Sequence, residues 1–205
     1  AFIISGCSGG SSGSNPTAES PETPPDDSAT VSGTAAAGAP LVGFVGAKDA
    51  SDNTATADLN ANGAYELDLS ELTTPVLIYG SGIAGGNAYQ LLSIVFEDDL
   101  DGTVNITPLT DLIVANAGGR TPQEIFNNPD FTQLTQEAIQ DQESAIKARL
   151  KPLLDGLGVD EDFDLRNSAF AADRSGFDAV LDVIEVTVNT DTNSATIRDR
   201  ISNQT

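Results

Sequence analysis

The sulfur of Cys7 is the most distinctive reactive atom in this sequence, because the 205 residues include only one cysteine. Cys7 follows an apolar segment, residues 1–4, and precedes a long polar segment, residues 8–28. A free, exposed thiol is a liability in a secreted protein, which favours its covalent modification. We therefore predict that Cys7 is a modified residue. A single cysteine also excludes a disulfide within the chain.

Four carboxylates crowd a second segment, in which Glu97, Asp98, Asp99 and Asp101 precede Gly102. Carboxylate oxygens beside a glycine bend are the donors that a hard cation such as calcium prefers. The same composition is typical of a solvated acidic turn, and no complete set of calcium ligands is visible. Calcium is the one cofactor that the sequence suggests, with these four acids as its candidate ligands.

Two further acidic segments allow the same pair of interpretations. The run from Asp58 to Gly63 matches the first half of an EF-hand loop, but Leu69 stands where that loop needs its twelfth-position acid. Its Asn and Gly residues favour a tight hairpin turn instead. The acidic run 160–164 either binds a cation or keeps a loop soluble, and solubility is the simpler interpretation.

Composition argues against several classes of function. With no histidine, the chain cannot build a Ser-His-Asp or Cys-His nucleophilic system. Zinc, copper and non-haem iron sites usually need His or several Cys. Without tryptophan, a sugar cleft would lack its usual aromatic platform, so a glycosidase is disfavoured. We predict that the protein is not an enzyme.

The net charge of −22, with only three lysines, bears on the partners of the protein. Nucleic-acid binding needs clustered Lys and Arg, so we expect no nucleic-acid partner. The same charge disfavours a peripheral grip on anionic lipids. No apolar stretch approaches the length of a transmembrane helix. Membrane attachment would therefore have to come from a lipid.

The tetrapeptide Ile4-Ser5-Gly6-Cys7 is similar to the lipobox of bacterial lipoproteins. The resemblance implies that the Cys7 thiol is diacylated and that the chain is cut before it. Residues 1–6 would then be the remnant of a signal peptide, and residues 7–28 a disordered tether rich in Ser, Gly and Pro. Because Ser8 stands where inner-membrane retention signals usually have Asp, the resemblance favours the outer membrane.

From residue 29 onward the sequence changes to short apolar runs separated by turn residues, which predicts an all-β unit over 29–107. Residues Val31–Thr34, Gly38–Val45 and Asn62–Leu67 resemble, in that order, the carboxypeptidase regulatory-like, transthyretin-like β-sandwich of bacterial surface proteins. The resemblance implies an Ig-like sandwich used as a non-catalytic stalk. Gly43 and Gly46 depart from the β-branched residues usual in its second strand. We predict strands at 30–34, 41–48, 54–58, 64–69, 76–81, 88–97 and 103–107.

Residues 108–205 have helical periodicity and form a second, mainly helical region. Helices are predicted at 108–117, from 121 with a capping-box start, at about 132–150, and at 176–183. Pro152 is expected to end or kink the third helix. A hairpin over 184–189 and 194–198 follows, and we expect the domain to continue beyond residue 205. The predicted fold class is therefore α+β.

Together these features predict a lipid-anchored cell-envelope protein, displayed from the outer membrane in a structural or adhesive role. Its partner would be an envelope protein or a glycan. One alternative is a subunit of a cell-surface polymer that self-assembles through an exposed sheet edge. The other alternative is a calcium- or glycan-binding module that uses Glu97 to Asp101.

Overall fold

A computed structural model describes residues 29–189 and 194–199 of the chain. Cys7, the signal-peptide remnant 1–6 and the tether 7–28 lie outside these residues. The described part is α+β, as predicted, and its elements follow the chain in this order: β1 (Thr30–Thr34), β2 (Val42–Lys48), β3 (Thr54–Asp58), β4 (Ala64–Asp68), β5 (Val76–Ala84), β6 (Asn87–Val95), a 3₁₀ turn (Glu97–Asp99), α1 (Pro108–Gly118), α2 (Pro122–Asn127), α3 (Gln136–Gly156), α4 (Gly176–Val183), β7 (Ile184–Asn189) and β8 (Ser194–Asp199).

The largest sheet has four antiparallel strands in the order β3-β2-β5-β6. Strands β1 and β4 form a separate antiparallel pair, and so do β7 and β8. The predicted C-terminal hairpin is confirmed by the second of these pairs, which aligns Ile184 with Asp199. In the four-stranded sheet, Phe44 of β2 lies opposite Ser81 of β5, which lies opposite Gln90 of β6. These three side chains therefore share one face of the sheet.

One face of the four-stranded sheet is covered by the β1–β4 pair. Val45 and Ile78 from the large sheet belong to the same buried cluster as Val31, Tyr65 and Leu67 from the pair. All five side chains are at most 5 % exposed. Burial of this apolar surface is the main force that holds the two sheets together.

The other face is covered only in part, by the helices. Leu77, Leu92 and Ile94 from this face pack in one cluster with Ile113 of α1 and Ile125 of α2. The same cluster continues into α3 and α4. Strands before residue 107 and helices after it therefore share this hydrophobic cluster. The predicted boundary at 107/108 separates strands from helices in the sequence, but the two parts pack against each other.

The segment predicted as a strand at 103–107 runs parallel to β1 but forms only isolated bridges with it. The carbonyls of Ser32 and Thr34 accept backbone N–H groups from this segment. The ladder is interrupted because the backbone N–H of Thr34 donates to Oδ1 of Asn105 at 3.3 Å and the carbonyl of Val104 accepts the hydroxyl of Tyr65. The predicted pairing is therefore formed in part, and side chains replace its missing bond.

The third helix differs from its prediction at both ends. It begins after Thr135, whose hydroxyl accepts the backbone N–H of Ala138, and it continues past Pro152 to Gly156. Proline removes one helical hydrogen bond, but Leu150 and Leu154 on either side of it are buried in the core. Packing of that apolar stripe stabilises the last turn in spite of the proline, so Pro152 does not end the helix, which stops at Gly156.

Candidate functional site

Each of the four predicted calcium ligands bonds to a different part of the protein. Asp99 is buried, and its Oδ2 accepts from Nη1 of Arg166 at 2.5 Å and from the backbone N–H of Phe96 at 2.8 Å. Its Oδ1 accepts from the side chain of Asn167 at 2.8 Å. Asp99 is therefore committed to the protein's own donors.

The other three acids serve separate contacts. Glu97 accepts from the hydroxyl of Thr74 at 2.8 Å, and Asp101 accepts from the backbone N–H of Thr30 at 3.2 Å. Asp98 lies 3.4 Å from the amide of Gln136. Across residues 29–189 and 194–199, no group of three or more acidic, Cys or His side chains is arranged to hold a metal ion.

Arg166 connects the 3₁₀ turn to the sheet, a role that its surroundings in the sequence did not reveal. It is 4 % exposed, and its Nη1 also donates to the carbonyl of Ile94 at 3.1 Å. The guanidinium lies 5.5 Å from the centre of the Phe96 ring. An ion pair of this kind, with several hydrogen bonds and a cation–π contact, fixes the loop that follows α3 against β6.

Residues of the two further acidic segments also form hydrogen bonds and an ion pair within the protein. Asn60 Oδ1 accepts the backbone N–H groups of Asn62 and Ala64, and Gly63 has a φ of 75°, so a tight turn is formed. It is not the predicted hairpin, because β3 and β4 belong to different sheets. In the run 160–164, Asp164 Oδ1 accepts the backbone N–H of Arg166 at 2.8 Å. Glu161 lies 3.7 Å from Lys151 on the surface.

A buried carboxylate beside Asp164 has an altered protonation equilibrium. Glu143 accepts the backbone N–H of Leu165 at 2.6 Å. Burial, followed by the nearby charge of Asp164, raises the pKa of Glu143 to about 7. Because these contacts hold the 163–168 loop onto α3, they account for the burial of Glu143 in structural terms.

A groove of about 290 Å³ opens between β6, α1 and α2. Its walls are mainly apolar, and the carboxyl group of Asp111 contributes to its lining. Asp111 is 8 % exposed, and its burial raises its pKa to about 7. The lining residues are Gln90, Leu92, Asp111, Thr121, Pro122, Gln123 and Phe126.

The first turn of α1 fixes Asp111 against the outer edge of β6. Thr107 caps the helix in a reciprocal capping box with Thr110. Asp111 Oδ1 accepts the backbone N–H of Leu92 at 2.9 Å, and the Thr110 hydroxyl lies 2.9 Å from the carbonyl of the same residue. Side chains of α1 thus satisfy the backbone of β6 where a neighbouring strand would otherwise pair.

Beside the groove, half of the sheet face has no cover among the described residues. Val42, Phe44 and Ile83 retain 62 %, 40 % and 57 % of their accessible surface. The Phe44 ring packs against Tyr79 at 5.9 Å, and Tyr79 packs against Phe126 of the groove at 4.6 Å. We call the surface formed by Val42, Phe44 and Ile83 the open face, and it is continuous with the groove through these rings.

Sequence reasoning missed both the open face and Asp111. Val42 to Lys48 reads as one apolar strand, and nothing in it marks Val42 and Phe44 as uncovered. The signal that was available is parity: Phe44 and Val42 alternate with Gly43 and Val45, so they must lie on the face opposite to the core residue Val45. Asp111 lies in the helix predicted at 108–117, and no local pattern marks it as a groove residue.

Comparisons of the chain with known protein families, with curated proteins and with solved structures found no match. Of the helices in the described residues, none has the length and apolar composition needed to cross a bilayer. The geometry of the groove and the open face is therefore the basis for a functional interpretation.

Proposed function

We propose that this protein is a lipid-anchored, non-catalytic module of the cell envelope that binds a protein partner through its open face. The observation that carries the proposal is the exposure of Val42, Phe44 and Ile83 side by side on one sheet face. Contiguous apolar surface beside a groove is typical of interaction sites. A transthyretin-like sandwich over residues 29–107 would serve as the scaffold for this face.

The absence of histidine and the single cysteine of the sequence support a binding role over catalysis. The buried acids Asp99 and Glu143 bond to groups of the protein itself, so their burial has a structural cause. Asp111 faces a groove, yet it is bonded to the backbone of β6. A carboxylate of this kind suits recognition of a ligand group.

The membrane anchor is tested by the full-length gene with its complete signal sequence, carrying Cys7→Ser. We expect the variant to leave the membrane fraction while its thermal unfolding stays unchanged, because a Cys to Ser change replaces one atom and retains the size of the side chain. Ser8→Ala provides the matched control and should stay in the membrane fraction. Retention of Cys7→Ser in the membrane would contradict lipid anchoring.

Partner binding is tested by placing a photo-crosslinking amino acid at Ile83 in the native host. Position Gln140, exposed on α3, serves as the control. We expect a discrete crosslinked species from position 83 that is absent from position 140. The species should disappear when Phe44→Ser is added. Equal or no crosslinking at the two positions would refute binding through the open face.

A second candidate function, a subunit of a cell-surface polymer, is favoured by the outer edge of β6, where Ala88 and Gln90 are exposed. The native mass of the protein, extracted in mild detergent and measured by light scattering, discriminates between the two functions. A monomer supports a display module that binds a different protein. A large, regular assembly supports the polymer.

A further inference from the structure

Among the described residues, the outer edge of β6 is covered at Leu92 and Ile94 and uncovered along residues 87–91. Within a strand, the backbone N–H and C=O of one residue point to the same side, and those of the next residue point to the other side. Leu92 and Ile94 direct these groups away from β5, since α1 and Arg166 bond to them. By the same parity, Gln90 and Ala88 direct their backbone groups to this outer edge.

No element of the described chain is paired along the outer side of β6 at residues 87–91, because β6 is the last strand of its sheet. This edge offers about 17 Å of strand, given a rise of about 3.4 Å per residue. Such an edge is a template for an added strand. The first turn of α1 closes the edge at Leu92, so an added strand would have to end there.

The groove lies where a side chain of that strand would point. A residue opposite Gln90 has its side chain on the face that Gln90 occupies, and Gln90 lines the mouth of the groove. Asp111 is bonded to Leu92, two residues or about 7 Å along β6. A long side chain can span that distance, whereas a short one cannot.

The chemistry of the groove selects the type of side chain. Pro122 and Phe126 are apolar lining residues of the groove, and Asp111, which is 8 % exposed, is the acidic one. Lys and Arg match this arrangement because they bury an apolar stem and present a charged head. Among the described lining residues there is no Lys or Arg that would compete.

The net charge of the whole chain also favours a basic partner. At a net charge of −22, two copies of the protein repel each other, whereas a basic segment is attracted. Asp58 adds a further acid, since it lies exposed and directly opposite Phe44 at the other side of the open face. The charge complement therefore favours a basic partner over a second copy.

We infer that an extended basic segment of a partner protein adds to the outer edge of β6 along residues 87–91, with a Lys or Arg opposite Gln90 that reaches Asp111 in the groove. The inference rests on the proposed partner-binding function and specifies how binding occurs. Backbone hydrogen bonds to β6 hold the segment, and the groove selects its charge. The open face then contacts the remainder of the partner.

The test uses the full-length chain as bait for a displayed library of random twelve-residue peptides. We expect the enriched peptides to alternate apolar and polar residues and to contain Lys or Arg. Synthetic copies of them should bind Gln90→Pro at least about tenfold more weakly than the wild type, since proline removes an edge donor. Gln90→Thr keeps that donor and should bind normally.

Two further measurements keep the test decisive if Gln90→Pro does not fold. Proline at 90 should leave the β5–β6 ladder intact, because the N–H of Gln90 points away from β5. If Gln90→Pro unfolds, N-methylation of alternate peptide backbone nitrogens removes the same hydrogen bonds from the peptide side. Asp111→Asn should lower the preference for Lys over norleucine in the peptide by about tenfold, as a lost charged hydrogen bond predicts.

Three outcomes would overturn the inference. The first is that the library yields no basic extended peptides, and the second is that Gln90→Pro and N-methylation of the peptide both leave the affinity unchanged. The third is a concentration-dependent dimer of the protein that Gln90→Pro abolishes. The last outcome would show a second copy at the edge. If crosslinking at Ile83 persists unchanged in Gln90→Pro, the partner binds the open face without the strand edge. The proposed function would then stand while this inference fails.

Discussion

At the scale of single residues, the buried charged groups of this protein divide into those that fix the fold and one that faces a groove. Asp99 and Arg166 neutralise each other at the junction of the 3₁₀ turn, β6 and the loop after α3. Asp111 instead accepts the backbone N–H of Leu92 and lines the groove. Substitution of Arg166 is therefore expected to destabilise the protein, whereas substitution of Asp111 is expected to stabilise it.

Replacing Asp111 with Asn should stabilise the protein at pH 8. Because the folded-state pKa of Asp111 is raised to about 7, folding favours its protonated form. The wild type therefore loses stability as the pH rises from about 4 to about 7, and the loss persists above that range. The substitution should recover on the order of 4 kcal/mol at pH 8 and nearly nothing at pH 4.

Chemical denaturation of Asp111→Asn and wild type across this pH range measures the difference. The exposed Asp141 on α3 gives the control, since Asp141→Asn should leave the pH profile unchanged. A difference between Asp111→Asn and wild type that does not depend on pH would contradict the expectation. Glu143 contributes equally to all three proteins and cancels in the comparison.

Replacing Arg166 with Leu should destabilise the protein by about 3–5 kcal/mol, because it leaves the buried Asp99 without its counter-charge. The double variant Asp99→Asn, Arg166→Leu should recover part of that loss. Lys151→Met, which breaks a pair that is 54 % exposed on both sides, should cost less than about 1 kcal/mol. Equal costs for Arg166→Leu and Lys151→Met in urea unfolding would disprove the structural role of Arg166.

At the scale of elements, the β2 strand shows how a glycine creates room for an aromatic contact. A Cβ at Gly46 would lie 2.4 Å from the ring of Tyr79. This ring connects Phe44 of the open face to Phe126 of the groove. The glycine that departs from the β-branched pattern of the resembled family thus positions the aromatic side chains of the candidate site.

Substitution of Gly46 by Val should displace the Tyr79 ring, lower the melting temperature by several degrees and weaken crosslinking from Ile83. Near-ultraviolet circular dichroism reports the tyrosine environment and should change at the same time. Gly156→Ala provides the control, because a Cβ there meets no atom within 4 Å and alanine favours helices. An unchanged tyrosine signal in Gly46→Val would refute this role of Gly46.

The predicted elements agree closely with the structure where their signals are local. Strands at 30–34 and 54–58 and the helix at 176–183 have the predicted bounds. The segment 103–107 has the same apolar pattern but bonds to β1 only through isolated bridges, since the side chain of Asn105 accepts the backbone N–H of Thr34. Pairing depends on residues distant in sequence, which a local pattern cannot reveal.

At the scale of the whole molecule, the 205 residues carry a net charge of −22, and such a charge opposes a compact fold. Salt screens such repulsion over distances of about 10 Å at 0.1 M. The four ion pairs present in the described residues are too few to offset the excess of acids. The stability of the protein should therefore depend on ionic strength.

Raising the concentration of sodium chloride from 0.02 to about 0.5 M should increase the melting temperature, as Debye screening weakens repulsion among the acids. Neutralising the exposed acids Asp160 and Asp162 with Asn should raise the melting temperature at low salt and flatten its dependence on salt. Calorimetry at the two salt concentrations provides the measurement. A melting temperature that falls with salt would show that attractive ion pairs dominate instead.

The sequence by itself determined most of the element types, the start of α2 at its capping box and the net charge, because composition, periodicity and turn residues act locally. Only the tertiary structure decided which acids are used internally, since the partners of Asp99 lie about 70 residues away in Arg166 and Asn167. It also decided that the helices cover only half of one sheet face. The open face and the groove at Asp111 arise from that incomplete coverage, which depends on how distant elements pack and not on any single segment.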